Sequence, residues 1–463
     1  MSFFLDSLPP ELSKAVLTLA RRAQSAGGKI YVVGGAVRDL IQGVVPIELD
    51  LEVFGLSVDE VVRELGRDYT LIRVGRSFPV LKVKNLPIDI ALPRIEWKTG
   101  DLHTDFSFET NPALEFSAAA RRRDFTFNAM GWDPLSDEVV DPYGGQSDLA
   151  DRVLRPVSEQ FGEDALRVLR GMQFIARFDL EPASETIDAC RSLVQTHLAT
   201  ERVFEEWKKL LLAGTKPSKG LFFLQAVGWL RFYPELEATV DCPQDPRWHP
   251  EGSVWRHTAY CLDAFAQHRL GEEKEDLVVG LAVLCHDLGK PATTTTDPSG
   301  AIHSYGHEKA GLEPTRTLLS RLTREKTLIE EVEPLVETHM RPRQLFDHQS
   351  GAPAVRRLAN KVGRLDRLLR VCRADSAGRP PLPPGDFPEG EWLLERAKEL
   401  NVTHERPKPL VQGRDLIAIG MQPGPAMGEL LQQLFEDQLD GCFSTKEAGL
   451  IRARERIDSA EQQ

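Results

Sequence analysis

Residues able to do chemistry concentrate in three places along this 463-residue chain. The first is Tyr31-Val32-Val33-Gly34-Gly35-Ala36-Val37-Arg38-Asp39, with Glu48-Leu49-Asp50-Leu51-Glu52-Val53 close behind. An apolar run ends in two glycines, an arginine follows, and acidic residues then alternate along a second apolar run. Glycines let backbone N–H groups approach a phosphate with no Cβ in the way, and Arg38 can pair with it. Residues two apart on a strand share a face, so Glu48, Asp50 and Glu52 are expected to point the same way. Carboxylates grouped like this repel unless a cation sits between them. Beside a triphosphate that cation is expected to be Mg²⁺, a hard ion that takes oxygen ligands. The implied chemistry is metal-assisted nucleotidyl transfer. A Gly-Gly turn alone merely reverses a chain, and acidic alternation alone marks a solvated face; their order and closeness carry the reading.

The second place is Glu163-Asp164-x-x-Arg167-x-x-Arg170, where residues three apart are neighbours on a helix surface. An aspartate accepts from an exocyclic amino group, which cytosine and adenine share, and a planar guanidinium can donate to ring nitrogen and carbonyl. Uracil and guanine offer a carbonyl where the amino group is required, so such a site rejects them by leaving buried polar groups unpaired. The competing reading is an ion pair in the first turn of a helix.

Histidines make the third. There are 11, and His257, His286, His303, His307 and His339 fall in one region. Leu281-Ala282-Val283-Leu284 precedes His286-Asp287, and Leu288-Gly289-Lys290 follows, which predicts a His-Asp pair on a mostly buried helix. Burying both is costly unless they are paired or bind a metal. His257, His286, Asp287 and Asp375 on separate helices form a nitrogen/oxygen set suited to a divalent transition metal that activates water against a phosphoester. Singly, each histidine reads as an ordinary core or surface residue.

The first motif resembles the head domain of class II tRNA nucleotidyltransferases, the CCA-adding enzymes, and of their bacterial poly(A) polymerase relatives. Further segments extend the resemblance in the family's order: Arg122-Arg123-Asp124-Phe125-Thr126-Phe127-Asn128-Ala129, then Asp141-Pro142-Tyr143-Gly144-Gly145 with Asp148-Leu149. Glu163 to Arg170 follows, and then Glu201-Arg202-Val203 with Glu205 and Lys208. The resemblance implies a polymerase-β-like mixed α/β head (an α+β chain overall), with Mg²⁺ held by Glu48 and Asp50. Asp89 is the third carboxylate on an adjacent strand, and Gly34, Gly35 and Arg38 take the triphosphate. It also implies that Asp164 and Arg167 pair with CTP and ATP, that Arg123 and Arg170 line the same pocket, and that the partner is a tRNA 3′ end. Glu48 departs from the family's aspartate and lengthens that carboxylate by a methylene. Selection of CCA, CC or A alone depends on the segment between Arg94 and Ala118, and a poly(A) polymerase shares the same head.

The histidine region resembles the HD-family phosphohydrolase domain through His257, Cys285-His286-Asp287-Leu288-Gly289-Lys290, Gly306-His307, His339 and Asp375. Trp248-His249-Pro250-Glu251 is similar to the segment that enters this domain in bacterial CCA-adding enzymes. The resemblance implies His257, His286, Asp287 and Asp375 as metal ligands, with His307 and His339 auxiliary. Ni²⁺, Co²⁺, Mn²⁺ and Mg²⁺ are all admissible. The implied substrates are phosphomonoesters and cyclic phosphodiesters, including 2′,3′-cyclic phosphates. An alternative is a hydrolase whose head serves only to bind RNA.

Positioning these groups requires several elements. A helix over 10–25 and strands near 29–34, 49–54, 78–84 and 86–92, with a helix at 58–66 between them, make a head of residues 1–147. Residues 148–240 read as an all-helical neck, and 241–377 as a helical HD domain after a breaker-rich stretch holding Pro243, Pro246 and Pro250. Residues 378–463 are a proline-rich linker and helical tail. There Gly420-Met421-Gln422-Pro423-Gly424-Pro425-Ala426-Met427-Gly428 resembles the tRNA-holding region of the same enzymes; a tight turn before a packed helix is the other reading. The net charge of −13 argues against a nucleic-acid partner unless arginines cluster locally. They do: at 121–123, at Arg152, Arg155, Arg167 and Arg170, and at Arg364, Arg367, Arg370 and Arg373. The last four read equally as an RNA stripe or a solvated helix face. No apolar run reaches the ~20 residues a bilayer requires. Six scattered cysteines and a start without signal-peptide features predict a cytoplasmic protein with no disulfide framework.

Overall fold

Alternation along Leu49–Phe54 sends Leu49, Leu51 and Val53 into a buried layer, and this run organises the N-terminal part of the chain. The structure is a computed structural model and describes residues 3–74, 80–98, 106–195, 198–383 and 385–461. In it β1 (Lys29–Val33), β2 (Leu49–Phe54), β3 (Leu71–Val74), β4 (Val80–Val83) and β5 (Ile88–Ala91) are followed by β6 (Arg94–Lys98), β7 (Phe106–Thr110), β8 (Gly131–Asp133) and β9 (Glu138–Val140). A seven-stranded sheet has the order β3-β4-β5-β2-β1-β8-β9, while β6 and β7 pair separately. β2 runs antiparallel to β1 and parallel to β5, and the second register sets Asp50 opposite Asp89. The helix Val58–Leu65 follows β2, started by a reciprocal cap between Ser57 and Glu60. Pro10–Ser25 packs against β1 and buries Leu12, Val16, Leu19 and Ala23 at helical spacing.

Two compact units make up the chain: Met1–Trp207 with Lys219–Phe232, and Lys208–Ser218 with Tyr233–Gln463. The expected head and most of the expected neck therefore share one unit. A ring cluster knits them: Phe125 and Phe127 stack at 5.8 Å, and Phe174 meets both edge-on at 5.8 and 5.4 Å. In the second unit, helices Val254–Ala266, Glu273–Cys285, Lys326–Thr338 and Leu365–Ala377 pack on one another. Its tail packs Met427, Leu430 and Leu434 of helix Pro425–Asp440 against Val411, Leu416, Phe443 and Ala453, with Met421 partly buried beside them.

Several expectations need correction. The neck is not helical throughout, because Val153–Leu154 pairs in parallel with Glu181–Pro182. The HD region likewise holds an antiparallel pair, Thr295–Thr296 with Ile302–His303. Two-residue strands are too short to leave an alternation in sequence, and docking of the chain sets their pairing. Of the four arginines, Arg373 is exposed, but Arg364, Arg367 and Arg370 are neither an RNA stripe nor a solvated face. Arg364 binds Asp366, Arg367 is held by Glu275 and Glu331, and Arg370 by Asp276, all within the second unit. A spacing of three says which residues are neighbours and not what faces them.

Candidate active sites

At the end of β1 the backbone turns through Gly34, whose φ of +73° suits glycine. A Cβ there would also lie 2.8 Å from Arg123 Nη1, so this glycine lets the arginine cross the turn. Arg38, one turn into the following short helix, is only 5% exposed. It donates from Nε and Nη2 to Asp39 at 2.9 and 2.7 Å and from Nη1 to Asn128 Oδ1 at 2.9 Å, over the ring of Phe178. The sequence expectation gave Arg38 to a phosphate; here its guanidinium braces the turn from inside.

Glu48 and Asp50 are both exposed, whereas Glu52 is 2% exposed. Glu52 accepts from Arg122 Nη2 at 3.1 Å and has Arg123 Nη2 at 3.7 Å, so two cations inside the protein neutralise it. The three acidic residues therefore split: two open outward and one is an internal counter-ion. Protein atoms packed round Asp50 push its carboxyl above the ordinary value although the side chain still opens to solvent, and Glu48 and Asp89 add to this against Arg123. Asp89 is paired with Lys82, whose Nζ lies 2.8 and 2.7 Å from its two oxygens. Three carboxylates on or beside the adjacent central strands β2 and β5, one raised by burial and then by the other two, form a place where a divalent cation relieves repulsion.

Next along the unit is a cavity of about 420 Å³ bordered by Arg123, Asp124, Asp164, Arg167, Arg170 and Arg202 among others. Asp164 is not inside the helix as expected but just before Leu166–Phe178, where its Oδ1 accepts from Leu166 N at 3.0 Å. The helix-start reading and the pocket reading hold together, since Oδ2 accepts from Arg202 Nη2 at 2.7 Å at the cavity wall. Arg167 donates to the carbonyls of Gln160 (2.7 Å) and Arg122 (2.6 Å), which orients it while leaving three of its five N–H donors. Arg170 Nε donates to Asp124 Oδ2 at 2.7 Å. Burial would raise the Asp124 carboxyl, but Arg170 and the hydrogen bonds from Asn128 and Phe125 N hold it below the ordinary value. Asp124 and Arg202 stand out in the sequence only as parts of motifs, and Glu206 does not stand out at all; partners 46 and 38 residues away, as in Arg170–Asp124 and Arg202–Asp164, are invisible to spacing. The segment credited with selecting product length contains β6, β7 and helix Phe116–Ala120; its residues 99–105 lie outside the described residues.

In the second unit the histidines converge. His257 Nε2 is 3.0 Å from Asp375 Oδ1, and its Nδ1 is 2.7 Å from Glu251 Oε1. His286 and Asp287 follow helix Glu273–Cys285 immediately, at its end and not within it, and are 1% and 2% exposed. His286, His307 and His339 donate Nδ1–H to the carbonyls of Val283, Ser304 and Val336 at 2.7–2.8 Å. That fixes the tautomer and aims each Nε2 inward, the arrangement expected of metal-binding imidazoles. His286 Nε2 has no aligned hydrogen bond, only Asp287 Oδ2 at 3.3 Å and Asp375 Oδ1 at 3.9 Å. Asp287 Oδ1 lies 3.4 Å from His307 Nε2, and Lys290 Nζ is 2.7 Å from Oδ2. Gly289 is required here, because a Cβ would meet the His307 carbonyl at 2.0 Å. Ligand atoms of His257, Cys261, His286 and Asp375 lie within 4.8 Å of one another, as do those of Asp287, His307 and His339. Burial would lower His257, yet Cys261, Asp375 and Glu251 hold it well above its usual value. Burial would raise Asp287, yet His286 and Lys290 keep it well below. Imidazole nitrogens and carboxylate oxygens gathered in two adjoining groups, with His286 Nε2 unsatisfied and a positive charge already favoured at His257 between Glu251 and Asp375, fit a divalent metal that takes the place of that proton.

Comparison with known proteins follows this division. Residues 30–155 match the Poly A polymerase head domain and residues 254–376 the HD domain. The Multifunctional CCA protein of Pasteurella multocida (strain Pm70) is 35% identical over 394 residues, 81% of this chain and 90% of that protein. That of Laribacter hongkongensis (strain HLHK9) is 37% identical over 371 residues, 76% and 85%. Among solved structures, a CCA-adding enzyme with CTP superposes with a TM-score of 0.64 at 20% identity over 98% of this chain and 97% of that one. A Thermotoga maritima CCA-adding enzyme complexed with tRNA gives 0.61 at 19% identity over 98% of both, a likeness of fold. No helix among the described residues is long and apolar enough to cross a membrane.

Proposed function

The chain belongs to the multifunctional CCA protein family, and on that premise we propose that its head adds C and A residues to tRNA 3′ ends from CTP and ATP without a template, while its HD domain hydrolyses phosphoesters. The carrying observation is the single unit that sets Asp50 and Asp89 side by side and flanks them with the Arg123–Asp124–Asp164–Arg167 cavity.

In this reading Glu48 and Asp50 would hold Mg²⁺, with Asp89 the third carboxylate beside them, and the ion would supply Lewis-acid stabilisation of charge at the α-phosphate. The tRNA 3′-hydroxyl attacks that phosphorus and pyrophosphate leaves. Backbone N–H groups after Gly34 and the guanidinium of Arg123 bind the triphosphate, with Arg38 bracing the turn. Asp164 has lone pairs beyond those given to Leu166 N and Arg202, so it accepts the exocyclic amino group of cytosine or adenine. The remaining Arg167 N–H groups donate to the ring nitrogen and carbonyl of cytosine.

In the HD domain His257, His286, Asp287 and Asp375 are the metal ligands, with His307 and His339 beside them. A divalent ion held by these residues would lower the pKa of water. Water oxygen adds to phosphorus, the ester P–O bond breaks, and the leaving oxygen takes up a proton. Lys290, held by Asp287 and by Gln244 Oε1 at 2.7 Å, places a positive charge at the rim for the phosphate.

The test is tRNA ending at its discriminator base, offered labelled CTP, ATP or both. Extension by three residues with both nucleotides supports the reading. Addition of two C residues only, of a single A, or of a long A tract would assign the head to a narrower activity. No addition would leave a hydrolase with an RNA-binding head.

A further inference from the structure

Helix Val254–Ala266 carries His257 and, one turn on, Cys261. Residues four apart share a helix face, so the thiol is turned toward the same side as the imidazole. Both residues are fully buried. Cys261 Sγ lies 3.4 Å from His257 Nε2, the nitrogen that faces Asp375, and 3.8 Å from Nδ1. The donor atoms of His257, Cys261, His286 and Asp375 all lie within 4.8 Å of one another, while Asp287 falls in the adjoining group with His307 and His339. Donors sharing one ion at about 2.0–2.3 Å are no more than ~4.6 Å apart, so small shifts close this group on a metal.

Two further features point the thiol at a ligand. His286 Nε2 is buried without an aligned hydrogen bond, and its ring is fixed by the bond from Nδ1 to the Val283 carbonyl. That leaves a lone pair aimed at the same point as Sγ. The thiol itself has little else to do. Both nitrogens of His257 already face carboxylates, Asp375 and Glu251, and the backbone acceptor nearest to Sγ, the Asp375 carbonyl, is 3.8 Å away. Cys372, the other thiol beside the centre, is committed by contrast, donating to the His339 carbonyl at 2.9 Å. Cys261 is nonetheless held in place. A Cβ on Gly378 would meet Sγ at 2.3 Å, so the chain leaving helix Leu365–Ala377 closes directly over it.

Resting on the metal-centre reading above, we propose that Cys261 is a ligand of the HD-domain metal, adding sulfur to the nitrogen and oxygen donors of His257, His286 and Asp375. On binding, the S–H bond breaks, its proton leaves to solvent, and the sulfur lone pair goes to the ion. A thiolate is a soft donor, so the set takes a transition metal such as Co²⁺ or Zn²⁺ in preference to Mg²⁺.

The test uses chelator-stripped full-length protein carrying Cys442→Ser, which removes the exposed thiol. Co²⁺ is titrated in by calorimetry and by absorption. One equivalent should bind and give a near-ultraviolet sulfur-to-cobalt charge-transfer band. Cys261→Ser should abolish the band and raise the Kd for Co²⁺ by at least roughly tenfold, the lower end of the range for groups that only support a ligand. Cys372→Ser should keep both band and affinity. Binding without the band, or a band that survives Cys261→Ser, would overturn the proposal and leave a nitrogen and oxygen site. If Cys261→Ser fails to fold, X-ray absorption at the cobalt edge of the parent protein decides. A sulfur at about 2.3 Å supports the ligand, and a shell of nitrogen and oxygen alone overturns it. No binding of Co²⁺ at all would overturn the proposal together with the metal centre it rests on.

Discussion

His307 and His339 meet Nε2 to Nε2 at 3.2 Å, while each donates its Nδ1–H to a backbone carbonyl. A carbonyl only accepts, so in both neutral rings the proton is on Nδ1 and the facing nitrogens carry bare lone pairs. Two lone pairs at that distance repel unless a cation lies near. Protonating His339 is disfavoured, because burial, then His286 and His307, push it down to about 4. Asp287 beside them completes a set that a metal satisfies.

Removing metal should therefore destabilise the second unit. Chelator-treated protein should unfold at lower temperature in calorimetry, and Ni²⁺ or Mn²⁺ at 100 times its Kd should restore about 2.7 kcal/mol. His339→Ala should lose much of that response. A thermal profile indifferent to chelator and metal would mean that these histidines only satisfy one another in a helical core.

In the head, Asp50→Ala should lower nucleotide addition by at least on the order of 10²-fold, the cost of losing one preorganised electrostatic stabiliser. Glu48→Asp should leave addition unchanged or raise it, since the shorter carboxylate is what the family carries. Single-turnover extension of tRNA with CTP checks both. Wild-type rates in Asp50→Ala would remove the carboxylate pair from the chemistry.

Asp164→Ala should relax base choice more than it weakens triphosphate binding. The lost oxygen accepts from a base, while Arg123 keeps its place at the turn. UTP and GTP incorporation relative to CTP, read by competition on one tRNA, should rise roughly tenfold or more. Unchanged selectivity together with a lower unfolding midpoint would reduce Asp164 to the hydrogen bond it gives helix Leu166–Phe178.

Much of this was legible from spacing, and the reasons are physical. β2 and its carboxylates follow from a period of two, and Gly34 from the turn it must make. The sequence cannot say which of Glu48, Asp50 and Glu52 stays outside, because that depends on Arg122 and Arg123, some 70 residues on, folding over Glu52. The contacts of Arg38 are hidden for the same reason: Asn128, 90 residues away, accepts from its guanidinium. The edge strand β3, Leu71–Val74, has no alternating burial and so left no pattern. In the HD domain the candidate ligands are readable as residue types, but the carbonyls that orient the rings of His286, His307 and His339 belong to Val283, Ser304 and Val336, which carry no signal at all.

Asp124 links the head to the neck through Arg170, and its carboxyl is held below the ordinary 3.8. A depressed carboxylate contributes its stability in full above the unfolded value and loses it as pH falls through the lower folded one. The acid limb below pH 3.8 should therefore carry an Asp124 component, and Asp124→Asn should flatten it. At neutral pH the same variant should cost about 3 kcal/mol, since it removes the hydrogen-bonded carboxylate of Arg170 and leaves only the more distant Glu206, at 4.0 Å, against that charge. Urea midpoints across pH check both, and parallel acid limbs in the two proteins would refute the linkage.

The two chemistries should separate cleanly by mutation. Each HD ligand set lies within the second compact unit, and Glu48, Asp50 and Asp89 lie within the first. His286→Ala and Asp287→Ala each remove a donor from the buried centre, so metal-stimulated phosphoester hydrolysis should fall by on the order of 10²-fold or more. Nucleotide addition by the same proteins should stay within about twofold of wild type, a change of under ~0.5 kcal/mol in barrier. Asp50→Ala should show the converse. Because His286 is buried, its replacement can also cost stability, so Asp375→Asn, at a half-buried ligand, serves as the second variant. Loss of addition in all three HD variants, with the fold intact by circular dichroism, would mean that the metal centre supports the head, and the picture of two independent catalysts on one chain would be wrong.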